Sequence, residues 1–115
     1  MTDCIFCKII RGELPGKFVR KEKNWVAFYD VSPQAPVHIL IVPTRHIESL
    51  QTVSSNDRNL LGDLMVAAHE IARDLSVDAG GYKIVINNGK QAGQIVMHLH
   101  MHLLGNLNKS PSFPV

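Results

Sequence analysis

Residues 93–105 read GQIVMHLHMHLLG, and this stretch is the starting point for predicting the fold. Three histidines stand at every second position with apolar residues between them: His98, His100 and His102 alternate with Leu99, Met101 and Leu103. Side chains two residues apart point to the same side of a β-strand, so the pattern predicts a strand with an imidazole face and a core face. Neighbours on one face are about 6–7 Å apart, so a single phosphate group can touch two adjacent imidazoles.

Three interpretations of the imidazole face remain open on this segment alone. The first is a polar face on which histidines occur by chance, and the second is a metal site built from H-x-H pairs. The third is a phosphate site with a nucleophilic histidine. The preceding loop, NNGKQAG (87–93), favours the third interpretation, because Gly93 allows a backbone N–H to approach an anion closely.

The segments before the loop predict a strand and one long helix. YKIVIN (82–87) is strand-like, and the histidine strand would return antiparallel to it after a tight loop containing Gly89 and Gly93. Farther back, residues 54–56 offer a helix cap, with Asp57 in the first turn. One apolar stripe with helical spacing follows, formed by Leu60, Leu61, Leu64, Ala68, Ile71, Ala72 and Leu75.

The N-terminal half predicts a short helix and three strands. CIFCKIIRGELPG (4–16) reads as a helix stopped by Pro15 and Gly16, and residues 17–30 read as two strands with a polar turn at 22–24. VSPQAP (31–36) is irregular, and VHILIVP (37–43) is a strand buried on both faces. The predicted fold class is therefore α+β, with an antiparallel five-stranded meander sheet, one long helix and a short N-terminal helix. Residues 1–115 form one domain with a short irregular tail from about residue 106.

Composition narrows the class of protein. The formal net charge of +2, without a basic stripe, argues against a nucleic acid partner. The N-terminal MTDCIFCKII predicts neither a secretion signal nor a membrane span, so we expect a cytoplasmic protein that does not bind membranes. In that compartment Cys4 and Cys7 are expected to be thiols rather than a disulfide.

Four segments together resemble one known family. HLHMHLL (98–104) is similar to the H-φ-H-φ-H-φ-φ signature of the histidine triad (HIT) family, in which φ is apolar. FYDVSPQAPVHILIVPTRHI (28–47), INNGKQAGQ (86–94) and CIFCKII (4–10) resemble three further segments of that family. The likeness runs from Cys4 to about Gly105. It points to the Hint-like branch of nucleoside phosphoramidate hydrolases, and the C-x-x-C spacing to its bacterial members.

The resemblance implies an activity and the residues that perform it. His100 would be the nucleophile of a triad completed by His98 and His102, and would attack the α-phosphorus of a purine nucleotide such as an AMP or GMP derivative. A nucleotidyl-histidine intermediate would form, and water would release the monophosphate without a metal. His102 and Asn87 would contact the phosphate, and Gly93 would donate its N–H. A dinucleoside polyphosphate hydrolase and a nucleotide-binding module with little turnover are the alternatives.

The resemblance also implies where the nucleoside binds. Asp30 would accept hydrogen bonds from the ribose diol, although a turn cap is its alternative role. Gln94 belongs to the phosphate loop and is assigned to nucleotide binding with it. The nucleoside cleft would be formed by apolar and aromatic residues, for which core packing is the alternative: Ile5, Phe6, Ile9, Phe28, Tyr29 and Val31.

Cys4 and Cys7 form a C-x-x-C pair, which is a weak signal alone because a redox motif would follow a strand. The resemblance to bacterial members suggests a structural zinc held by Cys4, Cys7, His46 and His98, with inert thiols as the alternative. Since residues 5 and 6 lie between the cysteines, such a zinc would also brace the base pocket.

The remaining histidines are expected to be structural or exposed, and two segments depart from the family pattern. His38 should be hydrogen-bonded under the sheet, and His69 should lie on the surface. Ile95 stands where the family often has a small hydroxyl or polar residue, so we expect the rate or the substrate range to differ from that of relatives. The tail lacks the family's common Gly-Gly-Arg continuation, and Phe113-Pro114 only weakly resembles its aromatic-Pro ending.

Family members are homodimers, and GYKIVIN (81–87) with the long helix is the expected interface.

Overall fold

Five antiparallel strands form one open sheet in the computed structural model, which describes residues 4–108. The strands are β1 (Phe18–Lys21), β2 (Trp25–Tyr29), β3 (Val37–Pro43), β4 (Tyr82–Val85) and β5 (Met101–Gly105). The predicted α+β fold class is confirmed, including the long helix and the short N-terminal helix. The sheet order β1-β2-β3-β5-β4 departs in one detail from a strict meander, because β5 rather than β4 pairs with β3.

Two helices cover the sheet, α1 (Ile5–Ile10) and α2 (Arg58–Asp74). A three-residue 3₁₀ turn leads into α2, and Ser54 and Asp57 form a capping box around that turn, close to the predicted cap. Helix α1 ends earlier than predicted. Gly12 adopts a left-handed conformation with φ of +81°, which turns the chain away before Pro15 is reached.

Each face of the sheet packs against one of the helices. Helix α2 and one face form the larger core, which includes Ile39, Ile41, Ile71 and Leu103. Helix α1 and the other face form a smaller core of Phe6, Val26, Phe28, Leu40 and Val42. The alternation along β2 and β3 therefore divides their side chains between two cores, which explains why β3 reads as a continuous apolar run.

The histidine strand begins later than the sequence predicts. β5 starts at Met101, so only His102 of the three histidines lies within it. The N–H of Leu99 donates to the carbonyl of Ile47 at 2.6 Å, and the His98 N–H donates to Val96 at 2.9 Å. The bond to Ile47 holds the chain before β5 against the segment after β3, and the bond to Val96 closes a local turn, so neither N–H joins the ladder with β4.

Residues 86–100 form a long connection between β4 and β5 rather than a tight hairpin loop. It contains one 3₁₀ turn (Lys90–Ala92). Gly89 and Gly93 adopt positive φ values in this connection, +92° and +94°, which glycine tolerates without strain.

The irregular tail is described only as far as Asn108, and residues 106–108 form no helix or strand. Phe113 and Pro114 lie outside the described residues. Within residues 4–108, neither helix has the length and apolar character that crossing a membrane requires.

Candidate active site

A cavity of about 910 Å³ opens between α1, the face of β2 and β3 beneath it, and the segment before β5. Most of the residues predicted for the nucleotide site line it, namely Ile5, Phe6, Ile9, Phe28, Tyr29, Asp30, Val31, Asn87, Gly93, His100 and His102. His98 and Gln94 are the two predicted residues that do not line it. The volume lies within the range of small-molecule sites.

Sequence reasoning missed several lining residues, among them Lys17, Leu40 and Val96. Leu40 pairs with Phe28 across β2 and β3, so identifying it requires the register of the two strands in addition to their alternation. Lys17 lies at the cavity rim with its ammonium 5.2 Å from the centre of the Tyr29 ring. No sequence motif marks Lys17, because its place depends on how β1 follows α1.

His100 is buried at the base of the cavity, and its ring orientation is fixed. Nδ1 lies 2.7 Å from the main-chain oxygen of His98. Since a carbonyl only accepts, Nδ1 carries the proton and Nε2 keeps its lone pair. Burial lowers the pKa of His100, which favours the neutral ring.

His102 is oriented by a chain of hydrogen bonds that begins in the SPQAP segment. The backbone N–H of Gln34 donates to Nδ1 of His38 at 2.9 Å, so the His38 proton is on Nε2. That Nε2–H donates to Nδ1 of His102 at 2.9 Å. The remaining nitrogen of His102, Nε2, therefore carries a proton and is a donor at the cavity. His38 is buried and hydrogen-bonded as expected, and it also sets the tautomer of a cavity histidine.

Asp30 follows β2 and has two partners of its own. Oδ1 accepts the N–H of Ser32 at 2.8 Å, which is the turn-capping role. Oδ2 lies 3.5 Å from Nε2 of His38. Asp30 also lines the cavity, so the residue that caps this turn lies at the cavity wall.

Asn87 and Gly93 close the cavity on the side of the connection before β5. A Cβ added at Gly93 would lie 3.9 Å from Nδ2 of Asn87, so the two residues are close neighbours. The N–H of Gly93 donates to the carbonyl of Lys90 at 3.0 Å. This differs from the expectation that the Gly93 N–H is free for phosphate, because the 3₁₀ turn uses it.

Gln94 lies beneath the cavity wall, and its side chain bonds to the main chain. Oε1 accepts the N–H of Gly89 at 2.8 Å, and Nε2 donates to the carbonyls of Glu48 at 2.6 Å and Val96 at 3.0 Å. The sequence led us to expect this amide at the nucleotide, but the structure turns it to the main chain instead. Gln94 instead fixes the loop that carries Gly93.

A second cluster lies directly behind the cavity wall and contains Cys4, Cys7, His46 and His98, whose ligand atoms all lie within 4.8 Å of one another. Nδ1 of His98 is 3.3 Å from Sγ of Cys4, and Nδ1 of His46 is 3.4 Å from Sγ of Cys7. Nε2–H of His98 donates to the carbonyl of Pro43 at 2.8 Å, so Nδ1 presents its lone pair to the sulfurs.

The donor chemistry of this cluster fits zinc. Two sulfurs and two imidazole nitrogens form a Cys₂His₂ set, the composition of many structural zinc sites. The N–H of Cys7 lies 3.4 Å from Sγ of Cys4 and donates to it. Burial raises the pKa of the Cys7 thiol, so a metal ion would displace protons as it binds.

Comparison with known proteins identifies one family. The family model described as "HIT domain" matches residues 11–109. An uncharacterized HIT-like protein from Synechocystis is 46% identical over 103 residues, covering 90% of this chain and 90% of that protein. A protein from Escherichia coli K12 named purine nucleoside phosphoramidase is 40% identical over 109 residues, covering 95% of this chain and 92% of its own.

The solved structures give the same result for the fold. A structure titled HIT family hydrolase, from Clostridium thermocellum, superposes with a TM-score of 0.93 at 40% identity and covers 96% of each chain. At that identity and coverage the likeness extends over the whole fold described above.

Proposed function

The chain belongs to the histidine triad (HIT) family, and from that premise we propose that it hydrolyses purine nucleoside 5′-phosphoramidates to the monophosphate through a nucleotidyl-histidine intermediate. One observation carries the proposal. The Nδ1–H of His100 is held by the His98 carbonyl, so the ring offers the Nε2 lone pair at the base of a cavity of nucleotide size. An imidazole has an ordinary pKa of about 6.5 and is largely neutral at pH 7.

The reaction has two displacements at phosphorus. The lone pair on Nε2 of His100 forms a bond to phosphorus, the bond from phosphorus to the amine nitrogen breaks, and the amine leaves with that electron pair and takes a proton from solvent. Water then attacks the same phosphorus and loses a proton, the bond to His100 breaks, and the nucleoside monophosphate is released. Splitting the hydrolysis in this way is covalent catalysis.

The other cavity residues would hold the substrate in place. His102 would donate from Nε2 to a phosphate oxygen, and Asn87 would reach the same group from the connection before β5. Asp30 would accept from the ribose hydroxyls through the carboxylate that also caps its turn. The purine base would lie against the apolar wall of α1 and β2. Positioned donors around developing negative charge supply much of the rate enhancement in such reactions.

The Escherichia coli relative is named for phosphoramidase activity, which favours a phosphoramidate over other substrates. A dinucleoside polyphosphate would expose the same α-phosphorus to His100, and it is the second candidate. A nucleotide-binding module with little turnover is the third.

Zinc would have a structural role in this proposal. Cys4, Cys7, His46 and His98 would hold the ion, and the hydrolysis itself requires no metal. Elemental analysis of protein prepared without chelators should give about one zinc per chain, and zinc-free protein from such a preparation would remove this part of the proposal.

Steady-state kinetics test the proposed activity. We expect a higher kcat/KM for an adenosine phosphoramidate than for a diadenosine polyphosphate, and His100→Ala should lose at least about 1,000-fold in kcat. His69→Ala is the matched control, because His69 is exposed and lies outside the cavity. Turnover by His100→Ala within tenfold of the parent would contradict the mechanism. Monophosphate binding without cleavage of either substrate would favour the binding module.

A further inference from the structure

His98 connects the metal cluster to the nucleotide cavity, although it does not line the cavity itself. We propose that His98 is a positioning residue shared by the two sites, so that a zinc ion at the cluster and a nucleoside monophosphate in the cavity bind cooperatively. The inference rests on the proposed function and on the fit of the cluster to zinc.

His98 contacts both sites, with its ring at the metal cluster and its main-chain carbonyl at His100. Its Nδ1 lies 3.3 Å from Sγ of Cys4 and 3.6 Å from Sγ of Cys7. Its main-chain oxygen accepts the Nδ1–H of His100 at 2.7 Å. The side chain is fully buried, so an ion that holds its ring against the sulfurs also restrains the residue whose carbonyl orients His100.

Phe6 provides a second connection, independent of that hydrogen bond. It lies between the two cysteines in sequence, and its ring packs edge-on against three others: His98 at 5.9 Å, His100 at 5.0 Å and Phe28 at 5.6 Å between ring centres. The same ring lines the cavity. An ion that fixes the two cysteines therefore also fixes one wall of the cavity.

The coupling should be positive, because both ligands need the same elements in the same place. Helix α1 has six residues, which is too short to be stable without tertiary contacts. Whichever ligand binds first bears the cost of ordering α1 and His98, and the second then binds more tightly. Coupling between two sites is typically 5–150-fold, and we expect about tenfold here.

Titration calorimetry with adenosine 5′-monophosphate gives the first measurement. We expect the Kd of zinc-loaded protein for AMP to be about tenfold lower than the Kd of protein from which a chelator has removed the metal. Thermodynamic linkage requires the reciprocal effect, so saturating AMP should raise zinc affinity, measured against a chromophoric chelator, by the same factor. Equal AMP affinity with and without zinc would overturn the inference.

Cobalt-substituted protein keeps the test valid if the stripped protein unfolds. Co²⁺ at a Cys₂His₂ site has visible absorption bands that depend on ligand geometry, and AMP should shift them if His98 serves both sites. Unchanged bands at saturating AMP would contradict the inference.

Two variants locate the coupling. Phe6→Leu keeps all four metal ligands and should reduce the tenfold factor to about twofold. Phe18→Leu is the control, because Phe18 packs against Phe28 in the same core but contacts neither His98 nor His100, and its factor should match the parent. If both variants keep the full factor, Phe6 does not transmit the coupling. Failure of AMP to bind in either metal state would instead contradict the proposed function.

Discussion

At the scale of single residues, each histidine of the triad uses one ring nitrogen for a hydrogen bond that orients the ring and leaves the other nitrogen for a second partner. His98 donates from Nε2 to Pro43 and turns Nδ1 to the sulfurs. His100 donates from Nδ1 to the His98 carbonyl and leaves the Nε2 lone pair free, which the proposed mechanism uses as the nucleophile. His102 accepts at Nδ1 from His38 and leaves Nε2–H as a donor. Three identical side chains are thereby held in three different hydrogen-bonding arrangements.

The environment of His102 predicts a pH dependence of stability. Burial lowers the pKa of His102 to about 4, and the neighbouring imidazoles of His100 and His38 add to the effect, while Asp30 opposes it. The unfolded chain has a histidine pKa of about 6.5, so between pH 6.5 and 4 it binds a proton that the native state does not. Stability contributed by this group is therefore present above pH 6.5 and lost as the pH falls towards 4.

Urea unfolding at pH 7, 5.5 and 4.5, at one fixed zinc concentration, measures this dependence. His102→Gln should decline less steeply than the parent over that interval, because it lacks the titrating ring. Both proteins share the metal ligands, so the difference between them reports on His102. Equal slopes for the two proteins would show that the native pKa of His102 is not lowered.

Ile95 predicts a preference for apolar leaving groups. Val31 and Ile95 are 96% and 91% exposed, and both line the cavity. Asp30 and Val31 lie at one end of β3, because the Asp30 carboxylate is near His38 at the start of that strand. The segment that carries Ile95 lies at the other end, because it leads to His98, which is hydrogen-bonded to Pro43 at the end of β3. A nucleotide with its ribose at Asp30 would therefore point its leaving group towards Ile95.

Competing phosphoramidates test that preference. Ile95→Ser should lower kcat/KM for a tryptamine leaving group by about tenfold relative to ethanolamine, because apolar contact is worth roughly that much. Val31→Ser, at the ribose end, should leave the ratio within twofold of the parent. A ratio that both variants change equally would place the leaving group elsewhere.

At the scale of elements, the connection of residues 86–100 is held by one buried amide. Gln94 bonds to three main-chain groups. Gln94→Leu would remove this partner from the Gly89 N–H and the Glu48 carbonyl, whereas the Val96 carbonyl would keep the His98 N–H. An unsatisfied buried group costs about 1–3 kcal/mol, so for these two groups we expect a loss of about 2–6 kcal/mol in the free energy of unfolding. Gln91→Leu is the control, since Gln91 is exposed in the same connection and should change stability by less than about 0.5 kcal/mol. Similar losses for both variants in urea unfolding would contradict this role.

The sequence predicted the elements whose pattern is local. The strands on either side of residues 22–24, the apolar β3 and the stripe of α2 follow from alternation and spacing. The start of β5 did not, because His98 and Leu99 have strand-like alternation but bond to Pro43 and Ile47. The role of Gln94 was equally invisible, since its partner Glu48 lies 46 positions away. The resemblance to a family, rather than periodicity, indicated most of the cavity residues.

At the scale of the whole molecule, one face presents apolar residues next to an edge strand. Strand β4 has β5 as its only neighbour in the sheet described for residues 4–108. A groove of about 200 Å³ nearby is lined by Leu50, Leu61, Leu64, Met65, Ile86, Leu99 and Met101, and Met65 is half exposed. This is the region expected to form a homodimer, and a twofold pair would cover both the edge and the groove.

Sedimentation velocity tests the dimer. We expect the parent to sediment as a dimer at micromolar concentration and Met65→Glu to be largely monomeric, because a charge would be buried in the contact. Lys23→Glu, in the turn at the far side of the sheet, should remain dimeric. A monomeric parent, or a dimer unaffected by Met65→Glu, would contradict this interface.

The most direct test of the central claim is to isolate the covalent intermediate. The protein is mixed with an adenosine phosphoramidate, quenched within milliseconds, digested and analysed by mass spectrometry. We predict an adenylate adduct on the peptide that contains His100, localised to that residue and absent from His100→Ala. An adduct on another residue, or full hydrolysis with no adduct at any quench time, would contradict the account.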